Sequence, residues 1–144
     1  MKTSNLDIFT PDQSVSLELP FSELGVVAGF PSPAEDYLES KLDLNRELVK
    51  HPHATFFARA RGSSMRDAGI AEGDILVIDR SLTLAQGRIA VCFLDGNFTV
   101  KFVRKNGNRM WLEAANPSFA PIDIGPSNEF LVWGIVTYII KQAP

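Results

Sequence analysis

Short strand-like segments dominate the chain after residue 54, and they constrain its fold more than any other feature. Branched and aromatic residues fill Thr55–Ala60, Asp74–Asp79, Gly87–Leu94 and Phe98–Arg104, with Gly or Asp at their borders. Between the last two stands Asp95-Gly96, a pair in which both residues tolerate the positive φ of a tight hairpin turn. The pattern predicts a sheet of short strands joined by tight turns.

Two further segments, Met110–Ala114 and Phe130–Ile140, have the same character, and about seven strands are expected in the whole chain. The second has no alternation of apolar and polar residues, so both of its faces are expected to be buried. The second face can be covered within one monomer or by a second subunit, and the pattern leaves both open. The predicted fold is mainly β, a compact, irregular, barrel-like domain.

The amino-terminal part of the chain has a different pattern. Residues 1–28 show neither helical nor strand periodicity and are predicted to be an extended, mobile arm. Ser32-Pro33-Ala34-Glu35 combines an N-cap serine, a proline at the first helical position and a glutamate three residues after the cap. A short amino-terminal helix is therefore expected, with an apolar face that includes Leu42. Asp43 is placed to cap a second short helix, which ends by Pro52.

Composition excludes several classes of function. The 144 residues carry a net charge of −3 and no Lys- or Arg-rich run, so direct sequence-specific binding to nucleic acid is not expected. The longest apolar stretch, Phe130–Ile140, is too short to span a bilayer, and the amino terminus lacks the pattern of a secretory signal. A single cysteine, Cys92, fits a reducing compartment. These features predict a cytoplasmic protein without a membrane segment.

Ser64 and Lys101 are the pair that points to chemistry. Ser64 lies in Gly62-Ser63-Ser64-Met65, and Lys101 lies within the apolar segment Phe98–Val103. A lysine held among apolar residues loses hydration of its charged form, so its pKa falls and it can act as a base for a neighbouring serine. Each residue also has an ordinary alternative, because a turn serine is commonly a capping hydroxyl and a strand lysine commonly faces solvent.

Other candidate chemistries have weaker support. His51 and His53 flank Pro52 and are expected in a helix-ending loop; a serine–histidine triad has no second supporting signal. No Cys/His spacing supplies a metal site, and no cofactor is predicted. Cys92 is expected in the core. The two tryptophans are expected to pack against apolar residues, since no basic cluster accompanies them; they are Trp111 and Trp133.

In order and spacing, these motifs resemble the UmuD family, the LexA-like self-cleaving serine peptidases that become subunits of error-prone translesion DNA polymerases. The resemblance covers about residues 20–140. The motifs that carry it are Gly29-Phe30-Pro31-Ser32-Pro33-Ala34, Asp36-Tyr37, Asp43-Leu44-Asn45, His51-Pro52, Ala54-Thr55, Gly62-Ser63-Ser64-Met65, Gly69-Ile70, Gly73-Asp74-Ile75-Leu76 and Asp95-Gly96-Asn97-Phe98-Thr99-Val100-Lys101. The fold it implies is the catalytic domain shared by LexA and signal peptidases.

The resemblance implies a role for each site residue. Ser64 matches the nucleophile, Lys101 the general base, and Ala28-Gly29 the bond that is cleaved. The best-known members have Cys-Gly at that bond, whereas related LexA repressors have Ala-Gly. Backbone N–H groups of Ser64 and Met65 are candidates to stabilise the oxyanion. Self-cleavage would divide the chain into an arm, residues 1–28, and a peptidase and polymerase-binding domain, residues 29–144.

The resemblance also implies partners. A RecA filament on single-stranded DNA would stimulate the cleavage, and the processed homodimer would join a UmuC-like Y-family polymerase for translesion synthesis in SOS mutagenesis. Two alternatives stay open: a catalytically silent scaffold that binds a polymerase, and a peptidase that acts on other chains. A LexA-type repressor is disfavoured because only 28 residues precede Gly29, too few for a helix-turn-helix domain, and their net charge is −3. A type I signal peptidase is disfavoured by the lack of an anchor.

Overall fold

The computed structural model describes residues 6–14, 16, 18–21 and 40–144, with backbone alone for 18–21 and 40. The chain divides into two compact units, one formed by Met1–Pro11 with His51–Pro144 and the other by Asp12–Lys50. The architecture is mainly β, as the sequence predicts.

In chain order the strands are β1 (Leu6–Phe9), β2 (Glu18–Phe21), β3 (Ser40–Asp43), β4 (Thr55–Ala60), β5 (Ile75–Asp79), β6 (Ile89–Leu94), β7 (Asn97–Asn106), β8 (Arg109–Glu113), β9 (Ile122–Ile124) and β10 (Phe130–Ile140). A five-residue helix, α1 (Leu44–Leu48), follows β3, and a short 3-10 turn covers Arg66–Ala68. The larger unit is a curled eight-stranded antiparallel sheet in the order β1-β4-β5-β10-β6-β7-β8-β9.

The hairpin predicted at Asp95-Gly96 is confirmed, and it determines the register of β6 against β7. Asp95 has φ 48° and Gly96 has φ 88°, the left-handed conformation that such a turn requires. Leu94 therefore lies opposite Asn97, and the pairing continues to Ala90 opposite Lys101. Because directly opposed residues share a face of the sheet, Lys101 lies on the same face as Ala90.

Apolar side chains cover both faces of this sheet. One buried cluster includes Val91 and Val100, and the other includes Ala90, Cys92 and Leu112. Adjacent residues of β6 enter different clusters, since successive side chains of a strand point to opposite faces. Lys101 therefore extends from β7 on the face of the second cluster.

The smaller unit contains α1 and a two-stranded antiparallel sheet formed by β2 and β3. Asp43 caps α1, since its carboxylate accepts from the N–H groups of Asn45 at 3.0 Å and Arg46 at 3.4 Å; this prediction is confirmed. The prediction that Leu42 belongs to a helix is wrong: it lies in β3, opposite Leu19 of β2. The pairing of β3 with β2 outweighs the helical spacing of the apolar residues in this segment. The helix start predicted at residues 32–35 lies outside the described residues.

Part of the predicted arm is regular structure, which corrects the expectation that residues 1–28 lack strand periodicity. Leu6–Phe9 pairs with β4, and Leu6, opposite Ala60, is 4% exposed. Leu6 belongs to the first apolar cluster, and Ile8 packs against that cluster. The alternation Leu-Asp-Ile is a strand pattern, but three residues are too short a signal to distinguish from chance.

Within one monomer the last strand is buried at its centre only, so the alternative in which a single monomer covers both of its faces is wrong. Gly134, Ile135 and Val136 are buried, whereas Leu131 is 53% exposed and Tyr138 is 37% exposed. The register shifts between Val132 and Gly134, an irregularity that a continuous apolar run does not reveal. Among the described residues, the helices lack the length and apolar character needed to cross a membrane.

Candidate active site

Ser64 follows the end of β4 in a turn that depends on Gly62. Gly62 has φ 81°, a conformation that other residues adopt only with strain. The N–H groups of Arg66 and Ala68 then donate to the carbonyls of Ser63 and Met65, which forms the 3-10 turn. This leaves the Ser64 side chain half-buried at the mouth of the turn.

Lys101 reaches Ser64 from the middle of β7. The residue is 5% exposed, which corrects the ordinary expectation that a strand lysine faces solvent. Its Nζ donates to Ser64 Oγ at 3.0 Å, to Thr99 Oγ1 at 2.8 Å and to the Val100 carbonyl at 3.1 Å. Three acceptors match the three N–H bonds of the ammonium form. Both residues singled out by the sequence are thus in direct contact.

Burial lowers the pKa of Lys101 below its ordinary value, because the charged amine has lost its hydration. A thiolate at Cys92 would act in the opposite direction. However, burial raises the pKa of Cys92 to about 12, so this thiol is neutral at physiological pH. Within the described part of the chain no carboxylate forms an ion pair with Lys101. The environment therefore makes the neutral amine easier to reach than it is for a lysine in water.

A cleft of about 250 Å³ opens over the Ser64–Lys101 contact. It is lined by Arg61, Gly62, Ser63, Ser64, Thr99, Lys101, Phe119, Ala120 and Ile122. Phe119 is 44% exposed and Ile122 is 40% exposed, so the cleft has an apolar wall open to solvent. On the other side of the serine turn, Leu6 of β1 lines a small pocket of about 10 Å³ with Ser64 and Val100. The predicted cleavage site, Ala28-Gly29, lies outside the described residues.

The segment after β8 braces the serine turn, a contribution that the sequence did not reveal. Asn116 is 6% exposed, and its Nδ2 donates to the Ser63 carbonyl at 2.8 Å. The Asp67 N–H donates to the Ala115 carbonyl at 2.7 Å, and the Ala115 N–H donates to Met65 Sδ at 3.4 Å. Asn116-Pro117 is typical of an ordinary turn, so an inward-facing amide has no local signature. Thr99 was likewise not predicted as a contact of Lys101.

The histidine alternative is not supported by the geometry. His51 precedes β4 and Ser64 follows it, so the two lie at opposite ends of that strand. His51 Nδ1 is 2.5 Å from Asp79 Oδ2, and Ser81 Oγ donates to Asp79 Oδ1 at 2.6 Å. Ser81 thus contacts the carboxylate and not the imidazole, an arrangement that gives it no base.

The remaining sequence expectations concern packing and metals. Cys92 is fully buried, as predicted. Trp133 packs against Phe56 and Phe98, with ring centroids 5.0 and 5.3 Å away, and Trp111 lies beneath the Arg109 guanidinium. Across the described ranges, His, Cys, Asp and Glu side chains do not gather in groups of three or more that could hold a metal ion.

A buried lysine in contact with a turn serine on a curled β-sheet defines a class of peptidase fold, and the sequence comparisons agree with it. Residues 20–137 match the Peptidase S24-like family, and the chain belongs to that family. Protein MucA of Salmonella typhimurium is 42% identical over 127 residues, which cover 88% of this chain and 86% of MucA. Protein ImpA of the same organism is 42% identical over 121 residues, 80% of this chain and 78% of ImpA.

The LexA repressor of Ectopseudomonas mendocina (strain ymp) is 35% identical over 147 residues, which cover 92% of this chain and 72% of the repressor. The resemblance to LexA-like and UmuD-like proteins drawn from the motifs is therefore confirmed. The chain is a LexA-type member of the S24 serine peptidases.

Proposed function

We propose that this chain is a self-cleaving serine peptidase in which Ser64 is the nucleophile and Lys101 the general base. The observation that carries the proposal is the 3.0 Å contact between Lys101 Nζ and Ser64 Oγ, made by a lysine that is 5% exposed. A buried amine that touches a hydroxyl and faces no carboxylate among the described residues is the arrangement that activates serine without histidine.

The hydrogen bonds of Lys101 suit the neutral amine in the reacting state. After loss of one proton, Nζ keeps two N–H bonds and gains a lone pair. Thr99 Oγ1 and the Val100 carbonyl accept the two N–H bonds. The lone pair is then directed at Ser64, whose hydroxyl donates to it. Reversal of one hydrogen bond thus converts the resting contact into a base poised to take the serine proton.

The substrate bond in this proposal is Ala28–Gly29 of the same chain. Ser64 Oγ attacks the Ala28 carbonyl carbon while its proton passes to Lys101 Nζ. Collapse of the tetrahedral intermediate breaks the C–N bond, and Nζ returns the proton to the departing Gly29 amine. The Ala28 ester on Ser64 is then hydrolysed by a water that gives its proton to the neutral lysine, which releases the arm and the free serine.

We further propose that cleavage is a switch in SOS mutagenesis. The similarity to MucA, ImpA and a LexA repressor supports this assignment. In it, a RecA filament on single-stranded DNA promotes self-cleavage, and the processed homodimer joins a UmuC-like polymerase in the cytoplasm. The chemical step requires no metal or cofactor, because the lysine supplies the base and backbone N–H groups of Ser64 and Met65 hold the oxyanion.

The test is to incubate the purified chain at pH 10, and separately with activated RecA filament at pH 7.5, and to sequence the new amino terminus. We expect a fragment that begins at Gly29 in both cases, and no fragment from Ser64→Ala or Lys101→Met. Ser81→Ala is the matched control, because Ser81 bonds only to Asp79 within the described residues, and it should cleave as wild type does. A Gly29 fragment from Ser64→Ala would refute the assignment.

A further inference from the structure

Asn116 is a buried amide that the chemistry above does not use. It lies beyond β8, in the segment that returns over the serine turn, and is 6% exposed. Both ends of its side chain are occupied: Nδ2 donates to the Ser63 carbonyl at 2.8 Å, and Oδ1 accepts from the Ser118 N–H at 3.0 Å. A buried amide held at both ends fixes the position of whatever it bonds.

The group that Asn116 holds is adjacent to the nucleophile. The Ser63 carbonyl also accepts from the Arg66 N–H at 3.2 Å, so two donors fix its direction. No peptide bond in the described ranges is cis. In a trans peptide unit the C=O and the following N–H point in opposite directions. Fixing the Ser63 carbonyl toward Asn116 therefore aims the Ser64 N–H away from it.

The two N–H groups at the nucleophile are not used by the fold. Within the described part of the chain, neither the Ser64 nor the Met65 N–H donates a hydrogen bond. Donors without a partner beside a nucleophile are the groups that stabilise an oxyanion, and their effect depends on orientation before the reaction begins. Met65 is itself held, since its Sδ accepts from the Ala115 N–H and its carbonyl accepts from Ala68 and Ile70.

We propose that Asn116 is a positioning residue for the oxyanion site: it anchors the Ser63 carbonyl and thereby orients the Ser64 and Met65 N–H groups toward the carbonyl oxygen of the bond under attack. This inference rests on the proposed self-cleavage. Among the described residues Asn116 bonds to Ser63 and Ser118 and not to Lys101, so in this inference it acts on the rate through the turn.

The experiment compares Asn116→Ala with Asn128→Ala. Asn128 is a matched control, because it also bonds through both ends of its amide, to Gly125 and Asp95, in a loop that lines neither pocket at Ser64. We expect self-cleavage of Asn116→Ala to slow by more than about fivefold at every pH, since a misdirected oxyanion donor costs rate. The midpoint of its pH–rate profile should not move, because the contacts of Lys101 are intact. Asn128→Ala should cleave as wild type does.

Two further measurements separate positioning from loss of fold. Rates are taken at a temperature where urea titration shows every variant to be fully folded. Asn116→Asp keeps the Oδ1 acceptor for Ser118 but loses the donor to Ser63, so it should be as slow as Asn116→Ala. A fall smaller than about fivefold in folded Asn116→Ala would overturn the inference, as would a wild-type rate in Asn116→Asp.

A measurement that does not depend on cleavage distinguishes this inference from the proposed function. In the Ser64→Ala background, Asn116→Ala should shift the amide NMR resonances at positions 64 and 65, and Asn128→Ala should leave them in place. Absence of cleavage by the wild-type chain would refute the proposed function whatever the spectra show. Unmoved resonances at both positions would refute the positioning role even if the wild-type chain cleaves.

Discussion

Thr99 and Lys101 lie two residues apart on β7, on one face of the sheet, and the lysine Nζ donates to the threonine Oγ1 at 2.8 Å. The two residues are 9% and 5% exposed. In the proposed mechanism this contact determines where the lone pair of the neutral amine points. Thr99 and Lys101 therefore act together, because the threonine hydroxyl orients the lysine amine. The turn after β4 places Ser64 against that amine.

Substitution Thr99→Val tests this role of the hydroxyl. Loss of the hydroxyl removes an acceptor that favours the ammonium form, so the pKa of Lys101 should fall further. The amine is also less firmly oriented, and we expect the plateau rate of self-cleavage to fall by about tenfold or more. The pH–rate profile should show both effects. Thr99→Ser retains the hydroxyl and should keep the wild-type midpoint; a midpoint shift in Thr99→Ser equal to that in Thr99→Val would contradict the role of the hydroxyl.

The buried lysine is expected to destabilise the fold at neutral pH. Its pKa is lowered in the folded state, so below that pKa the folded protein must keep a charge that the unfolded chain solvates better. Lys101→Met should therefore be more stable than wild type, on the order of 1 kcal/mol or more at pH 7. Between the folded pKa and 10.5 the unfolded chain binds more protons, so wild-type stability rises with pH and the difference shrinks.

Urea titrations of wild type and Lys101→Met at pH 6, 8 and 10 measure this effect. Lys105→Met is the matched control, because Lys105 lies on the same strand but is exposed. A constant difference between wild type and Lys101→Met from pH 6 to 10 would contradict a lowered lysine pKa.

Asp74 should contribute stability that is lost in acid. Burial alone would raise the pKa of Asp74, but the contacts with Lys141 and with the Ala71 N–H at 2.8 Å outweigh it and hold the pKa below the ordinary value. Asp74→Asn should cost about 1–3 kcal/mol at pH 7. The wild-type advantage is present above the ordinary carboxyl pKa and disappears as pH falls through the lower folded value.

Asp123→Asn is the control for that measurement, since Asp123 pairs with Arg109 at the surface with 72% of its side chain exposed. Its effect should be under about 1 kcal/mol. Denaturation at pH 7 and pH 3 is the measurement. Equal losses for the two variants at pH 7 would refute the importance of the buried contact.

Gly134 should tolerate no side chain. A Cβ there would lie 2.6 Å from Cγ2 of Ile78, which is fully buried, and 3.3 Å from Cγ of Arg80. Gly134→Ala should destabilise the fold by about 1–3 kcal/mol, because the sheet must shift to admit the methyl group. At Gly125 the nearest atom would be 3.8 Å away, so Gly125→Ala should change the melting temperature much less. Equal melting temperatures for the two variants would contradict this packing.

Local signals predicted the centre of the sheet and the hairpin between β6 and β7. Asp95-Gly96 determines a hairpin through backbone conformation alone, and the register then places Lys101 opposite Ala90. What local patterns could not supply are contacts made across the fold. Leu6 is a core residue only because β1 pairs with β4, and Leu42 is in a strand only because β2 lies beside it.

The brace on the serine turn was missed for the same reason. Asn116 and Ser63 are 53 residues apart in sequence, and an Asn-Pro pair indicates a turn whether its amide faces solvent or the site. The strand pattern also failed to predict the burial of Lys101, because a lysine that alternates with apolar residues on a strand is expected to face solvent. The resemblance to the family, and not periodicity, singled it out.

The pH–rate profile of self-cleavage tests the central claim most directly. First-order rates of appearance of the Gly29 fragment are measured from pH 6 to 11 for wild type and for Lys101→Arg, which keeps a positive charge throughout. The account predicts that the wild-type rate rises about tenfold per pH unit at low pH and then reaches a plateau, with the half-maximal rate at a pH below 10.5. Lys101→Arg should give no fragment. A flat wild-type profile from pH 6 to 10, or cleavage by Lys101→Arg, would contradict it.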